Sequence, residues 1–200
     1  MHISDRVYQK QLGLLSSVLA LVGGFAIASP SQAFDREALT QLISTGDCPR
    51  CNLSDADLRR LDLSGANLAG ANLTGANFYS SNLDGADLSG ADLSRAYLAK
   101  ASAISATFDG ALLHEAIFYD SDLTAASLYG TRFGNAYIED SLFVNAVLIA
   151  ADLSEIVLVS GDFNGAILCG AEMIYGDYRY GCLGEASGSE IAPDLSGGKE

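Results

Sequence analysis

Cys48-Pro49-Arg50-Cys51 is the first chemistry-bearing spacing along the chain. C-x-x-C is the spacing of disulfide oxidoreductases, whose reactive Cys sits at a helix N-terminus where the dipole lowers its pKa. Here the motif follows a predicted helix, so that dipole points the wrong way, and no βαβ pattern surrounds it. The competing reading is a structural disulfide that fixes the helix to the segment after it, with unpaired thiols as a third. Zinc needs two further ligands nearby, and none is evident. Cys169 and Cys182 complete the cysteines.

A second pattern could hold a cation. Asn or Asp recurs at every fifth residue from Asn52 to Asp92, and stacked carboxylates can coordinate calcium. The plainer reading is polar side chains that bond turns and stacked neighbours, and it is preferred. The histidines are His2 and His114. No Ser-His-Asp arrangement, phosphate loop or metal signature is present. No catalytic residue, no metal ligand and no cofactor are therefore assigned. A net charge of −14 speaks against nucleic acid, which needs a basic face.

The elements that position these residues begin after a targeting segment. Arg6 and Lys10 precede an uncharged apolar run, Leu12 to Ala28, and Ser31-Gln32-Ala33 supplies small residues before a cut. That is a secretory signal pattern over 1–33, with Phe34 as the mature start. The apolar run is near the lower length limit for spanning, so an uncleaved anchor is the alternative, and with it the sole membrane contact expected. Removal of Asp5, Arg6 and Lys10 makes the charge one unit more negative. Residues 34–47 (FDREALTQLISTG plus Asp47) predict a short amphipathic helix. Asp35 is its cap, Ala38, Leu39, Leu42 and Ile43 lie on one side, and Gly46 is its stop. Residues 186–200 are polar and Gly/Ser-rich, which predicts a flexible tail.

Between them the chain repeats. Stepping by five from Leu53 meets a large apolar residue at every position to Leu183 except Ala103, and the residue two earlier is mostly Ala. An α-helix turns about 100° per residue, so a five-residue period makes no stripe on it. In extended backbone, residues two apart share a face. Ala and Leu of Ala66-Asn67-Leu68 therefore point one way and Asn the other. The last two residues must turn the chain, and Gly65, Gly70 and Gly75 suit that turn. The chain must wind as a solenoid.

The repeat, seen in Ala66-Asn67-Leu68 and Ala86-Asp87-Leu88, resembles the pentapeptide-repeat family over residues 51–185. The resemblance implies an all-β fold, a right-handed quadrilateral β-helix with four pentapeptides per coil. With 48–185 as the repeat domain this gives about seven coils, and at ~4.8 Å per stacked strand a rod on the order of 32 Å long. Each coil supports only its neighbours, so the ends need caps, the N-terminal one being the helix. In an ideal coil Cys169 and Cys182 lie on different sides, so a C-terminal bridge requires a distorted last coil. Residues 48–58 (CPRCNLSDADL), the signal pattern and the helical cap together resemble exported cyanobacterial and plastid-lumen members. That resemblance implies thylakoid lumen or periplasm and carries over no general activity.

Residues 20 apart should then stack. This places Tyr97, Ile117, Tyr137 and Val157 consecutively on one side, with Tyr79, Tyr119 and Val159 beside them along the column of Ala99 and Glu139. Val147, Ile149 and Ile167 near Tyr129 form a smaller group. Contiguous exposed apolar area marks an interaction site, whereas stacked aromatics that only stiffen the ladder are the alternative. Three functions follow. The first is a non-catalytic exported scaffold that binds an unknown protein or itself through this face. The second is an acidic mimic of DNA that binds topoisomerases, as cytoplasmic members of the family do. The third is a thiol-disulfide redox protein using Cys48 and Cys51.

Overall fold

The computed structural model describes residues 35–174 and the backbone of Gly176–Asp177. The signal pattern, the tail and Cys182 lie outside the described residues. Helix α1 spans Arg36–Thr45, and the Asp35 carboxylate accepts from the Glu37 N–H at 2.8 Å at its start. Gly46, at φ 71°, ends it with its N–H on the Leu42 carbonyl. Ala38 and Leu42 are buried, whereas Ile43 is 46% exposed, so the helix buries a narrower face than its sequence suggests. Asp35 N–H donates to the Asn52 carbonyl, and the Gln41 side chain donates to the Asp47 carbonyl, tying α1 to the first repeats.

From Asp47 onward each residue preceding a large apolar one bridges, in parallel, to the residue 20 later, as in Asp47↔Asn67, Asn52↔Asn72, Asp57↔Asn77 and Asp62↔Asn82. The register therefore starts one repeat before Leu53. The backbone of the pentapeptide Asn72–Ala76 shows why five residues close a unit. Asn72 N–H donates to Cys51 O of the preceding turn at 2.9 Å, and Leu73 and Gly75 donate to Asp92 O and Ser94 O of the next, each at 2.8 Å. Ala76 N–H closes the corner on Leu73 O at 2.9 Å. That leaves Thr74 N–H, which donates to the Asn72 side-chain oxygen at 3.1 Å. Every donor is satisfied. The Asn or Asp in each triplet is thus the acceptor for the one N–H the β-helix does not use, an Asx turn.

The large residues and the alanines before them face inward and are buried, Leu68, Ala71, Leu73, Ala76 and Phe78 among them. Toward the C-terminal end, phenylalanines fill the interior. Phe143 stacks on Phe163 with centroids 4.8 Å apart and meets Phe118 and Phe133 edge-on.

Corners hold positive φ whatever the residue. Gly75 (φ 70°) is matched by Arg95 (φ 59°), Lys100 (φ 58°), Ala125 (φ 58°) and Ala150 (φ 56°). The turn dictates the conformation, and glycine only relieves it. At Gly75 a second cause operates, because an added Cβ would collide with the Asp55 carboxylate in the turn before it.

Regular strands are confined to the C-terminal half, both where the Asx residue is replaced, as at Ile117, Tyr137 and Val157, and where it is kept, as at Asp152 and Asp162. Strands β1 (Ile117–Tyr119), β2 (Tyr137–Glu139) and β5 (Val157–Leu158) form one parallel sheet in the order β1-β2-β5. Strands β3 (Ser141–Leu142) and β6 (Gly161–Asp162) pair on another side. Strand β4 (Asp152–Leu153) pairs in parallel with β7 (Glu172–Met173), and β8 (Gly176–Asp177) folds back antiparallel on β7. The corner at 153–156 is looser, with the Ile156 N–H 3.5 Å from Leu153 O. Ile156 occupies a slot that mostly takes Ala, and Leu158 after it is only partly buried.

Candidate interaction face

The side built by β1, β2 and β5 carries the outward residues that break the polar rule. Tyr97 bridges Ile117, Ile117 pairs with Tyr137, and Tyr137 pairs with Val157, without a slip in register. With no Asx acceptor, the backbone uses a different donor arrangement. Val159 N–H donates to Ile138 O at 2.9 Å, where the polar sides would use a side-chain oxygen. The outward side chains are thereby released from closing turns.

Exposure is uneven across this face. Val157 (50%), Val159 (49%), Tyr119 (39%) and Ile117 (37%) are open to solvent. Tyr79, Tyr97 and Tyr137 are half-buried, and Ala99, on the outward column between Tyr79 and Tyr119, is only 1% exposed. The face is therefore flatter and less open at its tyrosines than the sequence suggests. The cause is mutual cover: the Tyr79 and Tyr97 rings stack at 6.3 Å with planes 10° apart. The Tyr137 hydroxyl donates to the Glu139 carboxylate at 2.6 Å, which pushes the phenol up from its ordinary value.

Acids border this face. Exposed Glu115 and Glu155 stand at the corner before it, and exposed Asp120 and Asp140 at the corner after it. Lys100 Nζ lies 3.9 Å from Asp120, and His114 Nε2 lies 3.5 Å from Glu115. The smaller group shares the same register, Ser127↔Val147↔Ile167, with Tyr129 and Ile167 more than half exposed or at half.

The polar ladder is bonded within the protein. Asn67 donates to Asp47 at 2.8 Å and Asn72 to Asn52 at 3.2 Å, each across one turn. The Arg59 guanidinium holds the Asp57 carboxyl below the usual range, and the Ser64 hydroxyl and N–H do the same for Asp62. Where Ser102 and Ser127 replace the usual Asn or Asp, a carboxylate from the preceding turn takes over. Asp84 accepts from the Ser102 hydroxyl and the Ile104 N–H, and Asp109 accepts from the Ser127 hydroxyl and the Tyr129 N–H. Sequence reading missed these two acids. Their signal is an Asp 18 residues before a Ser in the Asn slot.

Cys48 and Cys51 follow the C-terminus of α1 and are bonded to one another, with Cα atoms 5.4 Å apart. They occupy the large and small inward slots on either side of one corner, the pair that Leu53 and Ala56 fill in the next repeat. Cys48 is fully buried, and its sulfur lies 3.2 Å from the Ala38 carbonyl oxygen. Cys169 is disulfide-bonded as well. Among the described residues, no group of His, Cys, Asp and Glu could hold a metal ion, and no helix is long and apolar enough to cross a membrane.

A family profile described as pentapeptide repeats (8 copies) matches twice, at residues 51–90 and at residues 91–130. Nothing among curated proteins matches. One similar solved structure is the pentapeptide repeat protein Rfr23 of the cyanobacterium Cyanothece 51142. It is 22% identical, with 66% of this chain and 97% of that one covered, at a TM-score of 0.34. A pentapeptide repeat protein of the Arabidopsis thaliana thylakoid lumen is 27% identical over 56% of this chain and 71% of its own, at a TM-score of 0.28. QnrB1, a plasmid-mediated fluoroquinolone resistance protein, is 21% identical over 64% and 70%, at a TM-score of 0.32. At these TM-scores the superpositions carry no argument; the two profile matches do. The chain belongs to the pentapeptide-repeat family, whose members form a right-handed β-helix.

Proposed function

We propose that the protein is a non-catalytic, exported scaffold that holds a protein partner, or a second copy, on the side of Tyr97, Ile117, Tyr137 and Val157. One observation carries this reading. Four consecutive outward positions are apolar in unbroken register, and beneath Val157 the Val159 N–H bonds to Ile138 O and needs no side-chain acceptor. Tyr97→Ser with Tyr137→Ser tests it. Affinity capture from the native compartment and light scattering should show loss of the partner or of self-association, with the fold intact. Unchanged capture and unchanged mass contradict the reading.

The remaining assignments belong to the same proposal. The β-helix is four-sided and of about seven coils over 48–185, since bridges 20 residues apart correspond to four pentapeptides. Residues 34–47 cap its N-terminal end, and Cys48–Cys51 is a structural brace that resists mild reductants. Residues 1–33 are a cleaved signal, so the mature N-terminus is Phe34, which N-terminal sequencing reads directly. Thylakoid lumen or periplasm is the compartment, and the secretory pattern of residues 1–33 together with the CPRCNLSDADL segment supports that placement. The net charge of −14 favours one rival, an acidic mimic of DNA. Fractionation that finds the protein in the cytoplasm would revive it.

A further inference from the structure

We infer that the occupant of this face is an amphipathic α-helix of a partner, with an apolar stripe bordered by Lys and Arg; this rests on the interaction-face reading above. Strand addition, the other way to recognise a β-structure, finds no edge along β1 and β2, which are paired on both sides. The backbone groups of β1 and β2 are committed to the turns on either side, as with Ile117 N–H on Ala96 O and Tyr137 N–H on Ala116 O, and β5 pairs with β2 through Val157 N–H on Ala136 O. Recognition must therefore run through side chains.

The dimensions fit one helix. Each turn rises about 4.8 Å, so the column from Tyr79 to Val159 is roughly 19 Å tall, and its three-residue strands make it about 10 Å wide. A helix with side chains is about 10–12 Å across and rises about 5.4 Å per turn, so some three turns lie along the rod axis. Charge sets the chemistry of its edges. Over its last three turns the apolar strip is flanked by Glu115 and Glu155 on one corner and Asp120 and Asp140 on the other, all exposed. Lys100 and Arg95 stand only toward the N-terminal end, and Lys100 faces Asp120. A helix with apolar residues at i, i+3, i+4 and i+7 and basic residues beside them matches both strip and rims.

A second copy does not. It would bring acidic rims against acidic rims in a chain of net charge −14. The strip, on the order of 200 Å² by these dimensions, also falls far below the roughly 800 Å² per partner of a stable dimer.

The test uses the mature chain and a fluorescent 18-residue helix of Leu and Lys with the Leu on one stripe. Two comparators are the same helix with Glu for Lys, and a scramble of the Leu/Lys composition. The Leu/Lys helix should bind at least tenfold tighter than either. Neutralising the rims with Glu115→Gln, Asp120→Asn, Asp140→Asn and Glu155→Gln should weaken it at least tenfold and flatten its salt dependence. Ile117→Ser with Val157→Ser should abolish the preference for the striped helix over the scramble. Equal binding of the Glu helix, equal binding of the scramble, or indifference to rim neutralisation overturns the inference. So does a dimer of the chain alone that Ile117→Ser disperses. If the rim variants keep native partner capture while Tyr97→Ser with Tyr137→Ser loses it, the basic helix is wrong and the interaction face stands. If neither set affects capture, both are wrong.

Discussion

Residues 47–92 and residues 97–159 run through the same parallel register, yet they spend their outward side chains differently. In the first region Asn52, Asn67, Asn72 and Asn77 each accept from an N–H two residues later, and several also bond across to the next turn. In the second, Ile117, Tyr137 and Val157 accept nothing, and strand hydrogen bonds such as Val159 N–H on Ile138 O complete the backbone instead. The fifth donor is thus met by the triplet's own Asx side chain or by a strand hydrogen bond, beside the carboxylates of Asp84 and Asp109 that serve Ile104 and Tyr129. The strand bond leaves an outward column free to be apolar, and that column lies over the phenylalanine-filled part of the core.

The two regions should respond alike inside and differently outside. The largest effects come from the shared core. Leu73→Ala and Phe118→Ala should each cost about 3–5 kcal/mol in urea unfolding, since both side chains are fully buried. A much smaller cost at Phe118 would mean that the two cores are not packed alike. Next comes the outward contrast. Asn72→Ala strands the Thr74 N–H and should cost about 1–2 kcal/mol. Val157→Ser, at a half-exposed position, should stay within about 0.5 kcal/mol. Equal costs would erase the distinction between the regions.

Corners sharpen it further. The first region places glycine at Gly65, Gly70, Gly75, Gly85 and Gly90, whereas the second holds Ala125 and Ala150 at the same positive φ. Ala150→Gly relieves a left-handed strain of roughly 1–2 kcal/mol against an entropic loss of roughly 0.5–1, so it should stabilise by about 0.5–1 kcal/mol. A lower urea midpoint would contradict that. The smallest effect is in pH. The Tyr137 phenol is raised above its ordinary value by the Glu139 carboxylate. Its contribution is present below pH ~10 and lost as pH rises through the folded value. Tyr137→Phe should flatten stability against pH in that alkaline window. A phenol that titrates at or below the ordinary value, seen as the tyrosinate absorbance lost in Tyr137→Phe, would refute the assignment.

Much of this was legible in the sequence because the five-residue period survives from end to end. It gives the inward set, the stacking of residues 20 apart, and the column Tyr97-Ile117-Tyr137-Val157. What was not legible depends on neighbours a full turn away. Ala99 occupies an outward slot and is nonetheless buried, beside the stacked Tyr79 and Tyr97 rings of two successive turns. Asp84 and Asp109 serve serines 18 residues later. Ile43 reads as part of an apolar helix face, but α1 buries Ala38 and Leu42, packs Leu39 against the core and leaves Ile43 exposed. The positive φ at Arg95 and Lys100 follows from the turn and not from the residue.

Site-specific photo-cross-linking in the native compartment tests the central claim most directly. A benzophenone amino acid at Val157 should form an adduct with a partner, and the same group at Asn67, on the polar ladder, should not. Adducts from position 67 with none from position 157 would contradict the account, because the partner would then be reading the regular repeat and not its departures.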